Sequence, residues 1–251
     1  MTNRLITSRD QWLEARKALL KEEKEFTHLR ERLAEKRREL PWVKIDKEYV
    51  FEGVDGPVSF ADLFEGRHQL LVYHFMFAPD WSQGCKSCSF VADHYDPTIV
   101  HLHQRDTSLA TISRAPIEKI EAFRKRMGWT FPWVSSGKND FNHDFGVYFS
   151  KEECHSGLAI YNYRPESRLI SDLPGLSAFY RDDNGDIFHT YSTYARGLDI
   201  FLSTYNLLDV SPKGRDEQPG EGMSWLRHHD RYDGSPFVHP WVEAAQAAEK
   251  S

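Results

Sequence analysis

Cysteine is scarce, with three in 251 residues. An odd and sparse set is not the disulfide framework of a small secreted domain. A chain of this length also buries enough apolar surface to fold without cross-links or a structural metal. A surplus of positive charge is missing: the formal net charge is −6 and the pI near 6.1. No electrostatic footprint for nucleic acid is therefore expected. No apolar run approaches the roughly 18–20 residues of a membrane span, and Met1–Asp10 is polar and charged, without the apolar core of a secretory leader. These absences set the expectation of a cytoplasmic chain with neither membrane nor nucleic acid as partner. Proline and glycine are moderate and aromatics reach 14%, which excludes global disorder.

Residues 8–40 read as one long helix, capped by Ser8 and ended by Pro41. Trp12, Leu19, Phe26, Leu33 and Leu40 recur at seven-residue spacing among Lys, Arg and Glu. An amphipathic helix packed on its own domain has this pattern, and so does a coiled-coil seam that pairs two copies into a homodimer. Tyr49–Glu52 and Pro57–Phe60 flank an Asp55-Gly56 turn, and Ser59 caps a short ADLF segment. Gln69–Phe77 is a nearly continuous apolar strand of the kind buried on both faces. A helix over Cys88–His103, kinked at Pro97, follows it. Ser108–Ser113 is a strand, Pro116–Met127 a helix closed by Gly128, and Thr130–Val134 a third strand. This alternation implies a parallel, helix-covered sheet. Asp183-Asn184-Gly185 turns a hairpin between Leu176–Asp182 and Asp186–Ser192, and Thr193–Leu208 reads as a final helix. The chain divides into an N-terminal helix (1–41), an α/β domain (42–210) with an insertion near 150–175, and a linker and tail (211–251).

Cys85 and Cys88 stand with two residues between them where the Leu70–Phe77 run gives way to a helix. Thiol exchange needs two thiols close enough to bond, one of them ionised near neutral pH. The first turn of a helix meets both needs, because its free N–H groups and dipole stabilise a thiolate. Cys85 is then the exposed nucleophile and Cys88 the shielded resolving thiol. Lys86 adds positive charge, Gly84 keeps the approach free of bulk, and Trp81 forms an apolar lip. A zinc half-site is the alternative, but a closed site needs two further ligands. The adjacent pairs Cys154-His155 and His228-His229 are poorly spaced for that, so neither metal nor cofactor is assigned. The tail segment Trp225–Tyr232 (WLRHHDRY) either folds over the dithiol, bringing His228 or His229 as an acid/base, or straps the surface. His74 and His94, on the strand and helix flanking the dithiol, read as packed side chains or proton shuttles.

DGPVSFADLFEG, QLLVYHFMF, the Cys85–Cys88 helix start, SRAPIEKIEAFRKRMGWTFPWVSS and the DDNGDI hairpin run in the order seen in thioredoxin-like proteins. The chain resembles their peroxiredoxin and TlpA-type branch. DWSQGCKSCSF, the N-terminal helix and GRDEQPGEGMSWLRHHDRYD resemble the DUF899 family, described as predicted dithiol-disulfide oxidoreductases. The resemblance implies an α/β fold with a central mixed sheet covered by helices and the dithiol at a strand-to-helix junction. The substrate would be a disulfide-containing protein, or a small-molecule thiol or peroxide. Two departures stand out. The cis-proline that packs on a thioredoxin dithiol would fall near Leu176, while Pro174 lies two residues earlier. The peroxidase pattern Pro-x-x-x-Thr/Ser-x-x-Cys has Ser82 in place, but Pro79 is one residue off register. The orienting arginine is unassigned among Arg114, Arg164 and Arg168. A thiol peroxidase and a non-catalytic redox-sensing module therefore stand beside the oxidoreductase.

Overall fold

The computed structural model describes residues 6–157, 159–166, 170–234 and 237–248. It contains two compact units, Met1–Pro41 and Trp42–Ser251. The first unit is helix α1 (Arg9–Arg38). Ser8 starts it through a capping box: its Oγ accepts the Gln11 N–H at 3.3 Å, and the Gln11 side chain accepts the Ser8 N–H at 3.3 Å. Asp10 in the first turn and Lys36, Arg37 and Arg38 in the last complement the helix dipole. No residue of α1 is buried; Trp12, Leu19, Phe26 and Leu33 remain 42% to 60% exposed.

The second unit is built on an eight-stranded sheet. Its strands are β1 (Val43–Lys44), β2 (Val50–Gly53), β3 (Gly56–Ser59), β4 (Gln69–His74), β5 (Thr107–Ser113), β6 (Trp133–Ser135), β9 (Gly175–Arg181) and β10 (Ile187–Tyr194). The order across the sheet is β1-β10-β9-β4-β5-β6-β2-β3. A small separate hairpin joins β7 (Ile160–Tyr161) to β8 (Arg164–Pro165). Strand β4 is central, parallel to β5 and antiparallel to β9. Its apolar run is explained by burial on both faces. Leu70 and Val72 enter one core cluster, and Tyr73 and Phe75 enter the other.

Between β4 and β5 lie α2 (Lys86–Ala92) and α3 (Asp96–His103), and α4 (Ile117–Arg126) leads to β6. The β9–β10 hairpin then docks antiparallel on β4. A parallel β-α-β unit carrying an antiparallel hairpin on its first strand is the thioredoxin-like arrangement, so the expected mixed, helix-covered sheet is present. Short helices α5 (Phe141–Asp144) and α6 (Lys151–Ser156) precede the hairpins, and α7 (Ser203–Asp209) and α8 (Pro240–Ala248) follow them.

Three local expectations are corrected. The helix expected over Cys88–His103 is two helices, because the chain turns at Asp93–Tyr95 and Pro97 begins α3 instead of kinking a longer helix. The helix expected over Thr193–Leu208 is a 3-10 segment, Ala195–Phe201, followed by α7, since β10 runs on to Tyr194. The edge strand β1, paired to β10 through Val43 and Lys44, was not foreseen; two residues carry no readable period.

Candidate active site

After β4 the chain runs on through the buried residues Phe75–Ala78 and turns at Trp81, whose N–H donates to the Ala78 carbonyl. It returns when the Cys85 N–H donates to the Met76 carbonyl at 3.1 Å. Four further bonds hold this loop. Ser113 Oγ donates to the Phe75 carbonyl at 2.7 Å, the Ala115 N–H to Phe77 at 2.8 Å, and Lys119 Nζ to Pro79 and Trp81 at 2.8 and 3.1 Å. Gly84 is required by close approach: a Cβ there would lie 2.7 Å from the Phe75 ring and 2.9 Å from that of Phe123. Its lack of a side chain thus serves packing and not an open approach, which corrects the sequence reading.

Cys85 is the N-cap of α2 in extended backbone (φ −62°, ψ 134°), and Cys88 lies one turn on. Both are free thiols. Their environments push them apart. Hydrogen bonding from the Cys88 thiol, then the N–H groups of Cys88 and Ser87 and the Lys86 charge, outweigh burial and bring Cys85 down to about 7 from near 9.0. Burial, then the Cys85 sulfur, push Cys88 well above an ordinary thiol. The Met76 N–H reaches Cys88 Sγ at 3.5 Å. The buried Tyr73 hydroxyl is near enough to favour a Cys88 thiolate, although it makes no hydrogen bond of ordinary geometry.

Cys85 is only 3% exposed, against the expectation of an open nucleophile, and the C-terminal tail is the reason. His228, fully buried, donates from Nε2 to the Gly84 carbonyl at 2.9 Å and accepts from Arg126 at Nδ1 at 3.0 Å. Arg126 is itself paired with Asp230 at 2.9 Å. Burial lowers the His228 pKa to about 4, so the ring is neutral at pH 7 with both nitrogens engaged. Lys86 Nζ reaches the Ser224 carbonyl at 3.2 Å. The ring of Trp81 is buried against Trp241 at 5.4 Å, so it is not an open lip. Ser82 Oγ donates to Glu243 at 2.5 Å.

Other sequence candidates lie elsewhere. His229 is exposed and bonds Asp93 at 2.7 Å, beyond the end of α2. Pro174 directly precedes Gly175, the partner of His74, because β9 begins earlier than the turn count implied. No cis peptide bond occurs among the described residues, so Pro174 is trans, and its carbonyl accepts the Tyr161 hydroxyl at 2.8 Å. His74 is buried on the opposite sheet face, bonded to Ser177 at 2.9 Å, and His94 bonds Thr204 at 2.8 Å. Cys154 packs in a separate cluster around Phe149 and Tyr161. Arg114 is held bidentate by Asp172, Arg164 pairs with Glu166, and Arg168 lies outside the described residues. Arg126, Trp241 and Glu243 were missed; none belongs to a spacing motif, and only the fold brings them to the loop.

A model of the family described as "Bacterial protein of unknown function (DUF899)" matches residues 1–232. No curated protein matches the chain. Among solved structures, the peroxidoxin BcpB of Mycobacterium tuberculosis is similar at 15% identity and a TM-score of 0.44, over 66% of this chain and 95% of its own. A PrxQ mutant of Xylella fastidiosa has 13% identity and a TM-score of 0.41, over 63% and 88%. Peroxiredoxin Q of Xanthomonas campestris has 14% identity and a TM-score of 0.43, over 63% and 90%.

Proposed function

The chain belongs to the DUF899 family, and on that premise we propose that it is a thiol–disulfide oxidoreductase working through Cys85 and Cys88. The observation that carries the reading is the split between two thiols one helical turn apart. Cys85 is lowered to about 7, and its partner is raised and donates to it. The Cys85 thiolate attacks one sulfur of a disulfide, that S–S bond breaks, and the distal sulfur leaves as a thiolate. Cys88 loses its proton and attacks Cys85 of the mixed disulfide, forming the intramolecular bond and releasing the second thiol. The protein loses two electrons, and the substrate disulfide gains them as two thiols. Exchange is preferred to peroxidase chemistry because Ser82 already donates to Glu243 and Arg114 is held by Asp172.

With a small disulfide, Cys88→Ser is expected to accumulate a mixed disulfide on Cys85, read by intact mass. Cys85→Ser should not accumulate one. Equal adducts on both variants would end this assignment.

The exposed heptad positions of α1 support pairing with a second copy of the chain, since an apolar stripe this narrow is a coiled-coil seam. Leu19→Lys combined with Phe26→Lys, in the full-length chain, is expected to halve the mass measured by light scattering. An unchanged mass would leave α1 without this role.

A further inference from the structure

Two cations share one neutral acceptor beside Cys85. Lys86 Nζ and a terminal nitrogen of Arg227 each donate to the Ser224 carbonyl at 3.2 Å. Both also lie against the Phe237 ring, at 5.0 and 5.7 Å from its centroid. The other bond of Arg227 goes to a second carbonyl, that of Leu226, at 2.7 Å. Among the described residues neither cation is ion-paired with a carboxylate. Other arginines of this unit do have such partners, as Arg114 has Asp172, Arg126 has Asp230 and Arg215 has Asp209. Lys86 is a buried residue, and burial followed by the Arg227 charge lowers its pKa. His239 Nδ1, a buried atom without a hydrogen-bond partner, lies within reach of the same two charges. Like charges gathered on one carbonyl repel, and the anionic group acting on Lys86 is the Cys85 thiolate, which can neutralise only one of them.

We propose that Lys86 and Arg227 bind a carboxylate of the substrate, which is a small carboxylate-bearing disulfide and not a protein. This rests on the exchange reading above. The argument for a small molecule is steric: Cys85 is nearly covered, between the Trp81–Trp241 pair and the Ser224–His228 strap. A protein disulfide would have to displace both of these covers to bring its own backbone up to the sulfur. The carboxylate seats on the two cations, and a sulfur of the same molecule meets the Cys85 thiolate. Exchange then proceeds as written above, and two carboxylate-bearing thiols leave.

The competing explanation is that the two cations only fasten the tail through Ser224. A charge preference separates the two, because fastening does not depend on the charge of a disulfide in solution. Rate constants for full-length protein with 3,3′-dithiodipropionate and with the neutral bis(2-hydroxyethyl) disulfide are each divided by the rate with a free small thiol. The normalised ratio is expected to favour the anion by roughly tenfold at low salt. It should fall in high salt, fall to below about threefold in Arg227→Gln, and persist in Arg227→Lys, which keeps the charge. Calorimetric binding of octanedioate, the unreactive carbon analogue, tests the carboxylate site without any thiol chemistry. It should bind the wild type and fail to bind Arg227→Gln. A ratio near one, or octanedioate binding that is absent from the wild type or unaltered in Arg227→Gln, overturns the proposal. Inertness towards the neutral disulfide would instead count against the exchange reading, with the calorimetry still deciding the anion site.

Discussion

Asp172→Ala is expected to cost about 3–5 kcal/mol of unfolding free energy, the range for stripping one partner from a buried ion pair. Asp172 is 3% exposed at its side chain and Arg114 is 16% exposed. The pair is bidentate, Nε to Oδ1 at 3.0 Å and an Nη to Oδ2 at 2.9 Å. The Ser171 hydroxyl adds a bond to Oδ2 at 2.7 Å, and the guanidinium lies 3.4 Å from the Tyr148 ring centroid. Water can therefore replace little of what the carboxylate supplies. The pair also joins the segment preceding β9 to the end of β5, next to Ala115, whose N–H fixes Phe77 behind the dithiol. Urea unfolding of the variant measures the cost. Replacing both partners with apolar residues, Arg114→Met with Asp172→Leu, should destabilise less than Asp172→Ala alone, because no unpaired charge remains. A single-variant cost under about 1 kcal/mol, the level of an exposed pair, would show that Arg114 finds another acceptor.

The fold was legible where local chemistry decides it. The Ser8 capping box, the Asp183-Asn184-Gly185 turn and the unbroken apolar run of β4 each act within a few residues, and each was readable from sequence. Gly84 shows where that reading stops. Its position before Cys85 suggested access, yet the reason for it is two aromatic rings, one of them 39 residues away on α4. Lys86 likewise sits beside the thiol it was expected to influence, but its ammonium group is directed to Ser224. Trp81 and Cys85 were expected at an open surface, and both, with Ser82 between them, meet or lie beneath a tail that follows them by more than 130 residues. A segment such as WLRHHDRY announces its polarity and aromaticity but not its docking place. That place is set by shape, His228 filling the space above Gly84 and Leu226 entering the core cluster that contains Cys85. The closeness of the two thiols was readable because their spacing alone brings Cys85 and Cys88 onto one helical turn.

Alkylation of Cys85 is expected to follow a titration centred near pH 7, about two units below an ordinary thiol. At pH 7 this raises the thiolate fraction about fiftyfold, from roughly one per cent to one half. Part of that gain is offset, because a less basic thiolate is a weaker nucleophile; two units cost roughly eightfold. The tail slows the reaction at every pH by limiting access, without moving the midpoint. The sign follows from the groups around the sulfur. Donors stabilise the ionised form, and the foremost is the Cys88 thiol, ahead of the Cys88 and Ser87 N–H groups and the Lys86 charge. Cys88→Ala removes that first donor and should move the midpoint towards the ordinary value, whereas Cys88→Ser retains a hydroxyl donor and should move it less. Iodoacetamide rates across pH 5–10, with Cys154→Ser as background, measure both. A midpoint that stays near 7 in Cys88→Ala would transfer the cause to the helix N–H groups and Lys86, and Lys86→Met would then be the variant that raises it.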